Sequence, residues 1–201
     1  MSRRATPSAP ALDGRVRRSE RSREAIVGAL FDLIGEGVLQ PTARQVADRA
    51  GVGIRSVFRH FSEMESLYRA MDGRLEGEAV RILTAPAATG TLAQRVRALV
   101  RQRVALFERI APYKRSANLL RWRSPFLQQR HQRMRRVLRD DLCTRLPELR
   151  RAPADRLEAV DLLTSFETWD DLRVDRRLGV PRAAAVVERA VLALAAPRTS
   201  R

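Results

Sequence analysis

Arg55, Ser56, Arg59 and His60 fall within a six-residue stretch, and Thr42 and Arg44 stand shortly before them. Arginine donates from a planar fork that matches the O6 and N7 acceptors of guanine or two oxygens of a phosphate. Hydroxyls and an imidazole add short-range donors beside it. This is the chemistry of holding a polyanion and reading base edges. The residues that would make or break bonds are poorly represented. Asp170 and Asp171 are adjacent, and neighbouring residues on a helix diverge in direction, so they do not form an acid–base pair. There is no G-x-S-x-G and no phosphate-cradling glycine loop. Cys143 is the only cysteine and His60 and His131 are the only histidines, too few for an internal disulfide or a metal cluster. No catalytic residue, metal or cofactor is implied, and the chain does not read as an enzyme.

The elements that must position those donors are legible in "TARQVADRAGVGIRSVFRHF", residues 42–61. Thr42 and Gln45 form a capping box that opens a helix through Ala50. Gly51 can take the positive φ of a sharp turn. Ile54 to Phe61 begins another helix, with Val57 and Phe61 inward and the polar residues outward. Before this pair, Ile26, Ala29, Leu30, Leu33 and Ile34 recur at helical spacing from Ser22, and Gly35 and Gly37 stop the pattern. After it, Ser62 and Glu65 make a second capping box, opening a longer helix through Leu67, Tyr68, Met71 and Leu75. Two short helices around a glycine turn form a helix-turn-helix, whose second helix lies in the major groove of DNA.

No strand-like alternation appears in the remainder, so the fold class expected is all-α. "TAPAATG", residues 84–90, interrupts the pattern, and Thr91 with Gln94 caps a helix bearing Val96, Leu99, Val100, Arg103 and Phe107. Pro112, Pro125, Pro147, Pro153 and Pro181 are expected to divide the rest of the chain into helical blocks. The last two, Ala154 to Arg176 and Pro181 to Ala195, have broad apolar faces. Phe166, Trp169, Val187 and Leu194 on them suit either a dimer surface or ordinary core. The organisation expected is a flexible basic arm at 1–21, a helix-turn-helix domain at 22–72 and an effector-binding and dimerisation domain at 73–201.

The formal net charge of +16 is unevenly spread. Residues 1–21 hold six arginines against Asp13 and Glu20, and residues 22–72 hold six arginines against seven acids. Residues 95–151 hold sixteen arginines and Lys114 against Glu108, Asp140, Asp141 and Glu148, a formal +13. The reading motif is therefore not itself basic, and the arm with Arg15, Arg17, Arg18 and Arg21 could supply phosphate attraction. Lys114 is the sole lysine, a coding preference for arginine that accounts for part of the excess. The apolar runs are too short to cross a bilayer, and the N-terminus lacks the apolar core of a signal peptide. A soluble cytoplasmic protein without membrane contact is expected.

"TARQVADRAGVGIRSVFRHFSEMESLYRAM" resembles the DNA-binding segment of the tetracycline-repressor (TetR) family, whose usual run is T-x-R-x-I-A-x-x-A-G-V-S-x-x-T-[LI]-Y-x-H-F-x-[SN]-K-E-x-L. The resemblance implies an all-helical homodimer of about nine helices per subunit, with an operator-binding head and an effector-binding body. It implies DNA contacts from Thr42, Arg44, Gly53, Ile54, Arg55, Ser56, Phe58, Arg59 and His60. Arg55 and Ser56 fall at base-reading positions, while Thr42, Arg44 and His60 fall where the family meets the DNA backbone. Three positions depart from the family run: Gly53 replaces a serine cap, Phe58 a tyrosine and Met64 a lysine, each removing a polar contact.

Arg103, Phe107, Tyr113, Arg121, Trp122, Phe126, Met134, Phe166 and Trp169 are the candidates for an effector pocket between the middle helices, for an anionic or lipophilic small molecule. Among them Arg103 and Arg121, cations in mainly apolar surroundings, are the candidates for a ligand charge, provided that no carboxylate pairs with them. His131, among Arg130, Arg133 and Arg135, is expected in solvent. The function expected is a ligand-responsive repressor released from a palindromic operator. A basic helical protein that binds nucleic acid or a partner without a specific operator is the alternative the charge leaves open.

Overall fold

The computed structural model describes residues 9–196, with side chains from Gly14 onward. Every regular element in that span is helical. The α-helices are α1 (Ala9–Gly35), α2 (Ala43–Ala50), α3 (Ile54–His60), α4 (Met64–Leu83), α5 (Leu92–Leu120), α6 (Pro125–Arg145), α7 (Ala154–Leu163), α8 (Phe166–Asp170) and α9 (Val180–Ala195). Short 3-10 turns occupy Arg121–Arg123 and Pro147–Arg151, and a π turn occupies Asp171–Asp175. The class is all-α, as the periodicity requires.

Two apolar cores organise these helices. In the first, Ile26, Leu30 and Ile34 of α1 meet Val46 and Ala47 of α2, Val57 of α3, Phe61, and Leu67, Met71 and Leu75 of α4. Tyr113 of α5 joins it, with its ring stacked 4.3 Å from that of Phe31. The second gathers Ala79 of α4, Val96 to Ile110 along one face of α5, Leu138 and Leu142 of α6, Phe166 and Trp169 of α8, and Ala183, Val187 and Val191 of α9. Each fully buried leucine or isoleucine contributes about 1.5–3 kcal/mol through apolar burial. Helix α4 supplies both cores, Leu75 to one and Ala79 to the other. Any displacement of its middle is therefore felt on both sides.

Several expectations need correcting. From Ala9 the arm is helical, as the first half of α1; residues 1–8 lie outside the described span. Ser62 does not cap α4, which starts at Met64; Glu65 instead accepts from the Ser124 hydroxyl and from Arg69 at 3.2 Å. Pro112 does not divide the chain: it sits inside the 29-residue α5. A proline there forfeits one backbone hydrogen bond, and packing of α5 against α1, α4, α6 and α9 offsets it. The block at 154–176 is two helices and a π turn, because Ser165 caps α8 by accepting from the Thr168 amide at 3.2 Å. Phe166, Trp169 and Val187 are buried within the single subunit and Leu194 is half-buried. The first three belong to core, not to an exposed dimer face.

Candidate functional site

The reading motif is built by local hydrogen bonding. Thr42 accepts from the Gln45 amide at 3.2 Å while the Gln45 side chain accepts from the Thr42 amide at 2.9 Å, closing the capping box. At the far end of α2, Gly51 has φ 65°, and the amides of Gly51 and Val52 donate to Asp48 and Ala47. That pair of bonds is a Schellman ending, which needs a left-handed residue and so favours glycine. Gly53 opens α3 in extended conformation without a side-chain cap. Arg49 grips Glu36 with both terminal nitrogens, at 2.7 and 2.6 Å, tying α2 to the end of α1.

With Val57 and Phe61 buried beneath, the outer face of α2 and α3 is left to Thr42, Arg44, Gly53, Ile54, Arg55, Phe58 and Arg59, all exposed. Ser56 and His60 are half-buried. All nine candidates thus lie on one contiguous motif, and the exposure of Phe58 and Ile54 is unusual for large apolar side chains. Nε2 of His60 is buried without a hydrogen-bond partner among the described residues. Burial, then Arg59 and Arg23, hold its ring below the ordinary histidine range. Arg23 was not foreseen in the sequence. Its guanidinium lies 5.3 Å from the Phe61 ring, bringing α1 against the end of α3.

Residues 26–71 match the family model "Bacterial regulatory proteins, tetR family". The chain therefore carries a tetR-family DNA-binding domain. It is a DNA-binding transcriptional regulator. The likeness in fold extends beyond this domain. A tetR-family transcriptional regulator from Streptomyces coelicolor superposes with a TM-score of 0.65 at 22% identity, covering 87% of this chain and 79% of that one. A transcriptional regulator from Rhodococcus sp. Rha1 does so with a TM-score of 0.64 at 18% identity, covering 88% and 95%. At such identities the likeness speaks for the fold. No curated protein matches the chain.

In the helical body two adjoining chambers lie between α4, α5 and α6 on one side and α5 to α8 on the other. Their volumes are about 70 and about 200 Å³. Ile110, Lys114, Arg121, His131 and Met134 line both. The smaller is walled by Tyr68, Met71, Leu75, Ala79, Tyr113 and Leu127, the larger by Phe107, Leu138, Leu162 and Phe166. Of the expected pocket residues, Phe107, Tyr113, Arg121, Met134 and Phe166 are therefore on the walls. Trp122 is 79% exposed and borders neither chamber. Phe126 lies under Arg69, 4.0 Å from its guanidinium carbon. Trp169 is buried and donates its indole N–H to Glu108 at 2.9 Å.

Arg103 also leaves the candidate list, because it is 3% exposed, donates to the Leu138 carbonyl at 2.7 Å and pairs with Asp141 at 2.9 Å. Its charge is fully committed inside the fold. His131 is not in solvent: its side chain is largely buried and Nδ1 sits 2.6 Å from Nζ of Lys114. Lys114 and His131 were not proposed for the pocket from sequence. The available signal was that one lysine persists in a chain that otherwise uses arginine.

Proposed function

We propose that the chain is a repressor that binds a palindromic operator as a homodimer and leaves it when a small molecule enters the chambers beside α4. In this reading residues 22–72 recognise the operator, and residues 73–201 hold the effector and the dimer contact. Arg55 and Ser56 meet base edges from the first turn of α3. Thr42, Arg44, Arg59 and His60 meet the DNA backbone, the last by giving its unpartnered Nε2 a phosphate neighbour. Gly53 allows close approach, and Ile54 and Phe58 make apolar contact with sugars or thymine methyls. The helical segment bearing Arg15, Arg18 and Arg21 adds sequence-independent attraction, which the formally −1 unit at 22–72 lacks.

The observation that carries release is a chain of hydrogen bonds from chamber to motif. Tyr68 of α4 walls the smaller chamber, and its hydroxyl is 3.0 Å from Oγ of Ser116 on α5. Ser116 donates in turn to the Leu39 carbonyl at 2.6 Å, just ahead of α2. The serine's single proton goes to Leu39, so Tyr68 is the donor to Ser116. A ligand that moves Tyr68 perturbs the support of α2 and, in a dimer, the spacing of two heads on successive major grooves.

Selection of duplexes from a random pool at stated salt tests the first half. A palindromic consensus is expected, and a featureless pool would favour the alternative of a basic protein without an operator. Arg55→Ala is expected to relax preference at one symmetric position per half-site, at about 1–3 kcal/mol. Unchanged preference would remove Arg55 from base reading.

A further inference from the structure

We propose that the effector is a straight-chain carboxylate amphiphile, its head held by Lys114, Arg121 and His131 and its tail lodged along the two adjoining chambers. This rests on the reading of the chambers as the effector site.

The acids on the chamber walls are already occupied. Asp72 accepts from Arg130, and Asp161 pairs with Arg139 at 3.1 Å. Glu167, half exposed, stands 3.8 Å from Nζ of Lys114 and 4.0 Å from Nδ1 of His131. Arg121 has no carboxylate in reach among the described residues; its one close neighbour of note is the Trp122 ring, 5.1 Å away. Lys114 is 14% exposed at its side chain. Its ammonium donates to His131 Nδ1 at 2.6 Å and to Asn118 Oδ1 at 3.4 Å. A ring that accepts at Nδ1 keeps its proton on Nε2. Three donors therefore converge where the two chambers meet, with the half-buried Arg121 guanidinium unmatched among the described residues; Arg135, the other unpaired cation lining the larger chamber, is exposed to solvent. A single anionic charge answers that excess, and the planar fork of Arg121 suits a carboxylate. The wall beyond the head is apolar: Met71, Leu75, Ala79, Ile110 and Leu127.

Burial, aided by Arg121, Arg130 and Arg135 and opposed by Glu167, draws Lys114 down to about 8. An anion at the head favours its charged form, so affinity for the acid should fall as pH rises through that value. The other charged groups around the chambers are Asp72 of α4, paired with Arg130 of α6, Asp161 of α7, paired with Arg139, Glu167 of α8, and Arg135 of α6, exposed at the larger chamber.

The test is calorimetric titration of hexanoate, decanoate, decanol, methyl decanoate and decyl phosphate, with operator release followed in parallel on the selected duplex. Decanoate is expected to bind at least about tenfold more tightly than decanol or the ester, and less tightly from about pH 7 to about pH 9. Arg121→Gln, at a half-buried position, should remove most of that preference. Lys114→Met should do the same, and Arg123→Gln, on the neighbouring exposed turn, should not. Equal affinity for acid and alcohol, no binding of either acid, or tighter binding of decyl phosphate would overturn the proposal. Preference for decanoate without release of operator would uphold the head site and overturn the release reading, so the two fail separately.

Discussion

At His131 the burial beside Lys114 produces a pH dependence of definite sign. Burial first, then the charges of Lys114 and Arg121, lower the ring to about 4 from an ordinary value near 6.5. Between those values the unfolded chain binds a proton that the folded chain refuses, so stability rises with pH across this window and is lost on acidification. His131→Gln keeps an acceptor for Lys114 without titrating. Its urea midpoint should be less sensitive to pH between about 4 and 6.5 than that of the parent. Parallel curves would show that the ring is not the source. Asp141 illustrates a charge of another kind, for it pairs with Arg103 at 2.9 Å and Arg145 at 2.8 Å, both buried. Arg145 also donates to the Ala85 carbonyl at 2.7 Å, fastening the segment after α4. Asp141→Ala leaves two cations uncompensated and should cost on the order of 3 kcal/mol in chemical denaturation; a loss under about 0.5 kcal/mol would mean that solvent screens the pair.

Helix ends decide the reading motif. Its two helices have eight and seven residues, too short to persist alone in water. Their orientation rests on the caps and on Val46, Ala47 and Val57 in the core. Gly51→Ala places a Cβ on a residue with φ 65°, and although no atom lies within 4 Å of that Cβ, the backbone itself is strained. A loss of about 1 kcal/mol is expected, with weaker operator binding from a misdirected α3. Wild-type melting and affinity in this variant would show that the turn tolerates an alanine. The capping boxes at Thr42 and Thr91 were readable because both partners lie three residues apart. Ser62 with Glu65 has the same spacing and forms none. Glu65 is drawn instead to Ser124 and Arg69, and such competition from a distant helix leaves no local trace.

At the scale of the molecule, the dimer assignment moves outward. Val187 and Val191 are buried within the subunit, so aspartate at either should unfold the protein, whatever its assembly state. Val186, 44% exposed on α9, and Leu162, 64% exposed on α7, are among the exposed apolar residues that could meet a partner copy. Because α7 and α9 pack together, their outer faces adjoin. Val186→Asp should retain the helical spectrum and melt of the parent while shifting light scattering from dimer to monomer. A Val186→Asp protein that stays dimeric would place the contact elsewhere.

Alternation of apolar and polar residues at helical spacing, a glycine where the chain reverses and the order of three short helices are local properties. They point to the all-α class, the helix-turn-helix and its outward donors without reference to any long-range contact, although the short helices need the core to persist. The sequence by itself therefore determined what reads and on which helix. It could not decide which of many arginines stand free, since Arg103 and Arg121 both sit among apolar neighbours in the chain. Only the approach of α6 to α5 gives Arg103 its Asp141 and leaves Arg121 none among the described residues. The same approach turns His131 from an apparent surface residue into the partner of Lys114. Pairing of charges and enclosure of a cavity are properties of distance between helices, and that distance is fixed by packing of side chains far apart in the chain.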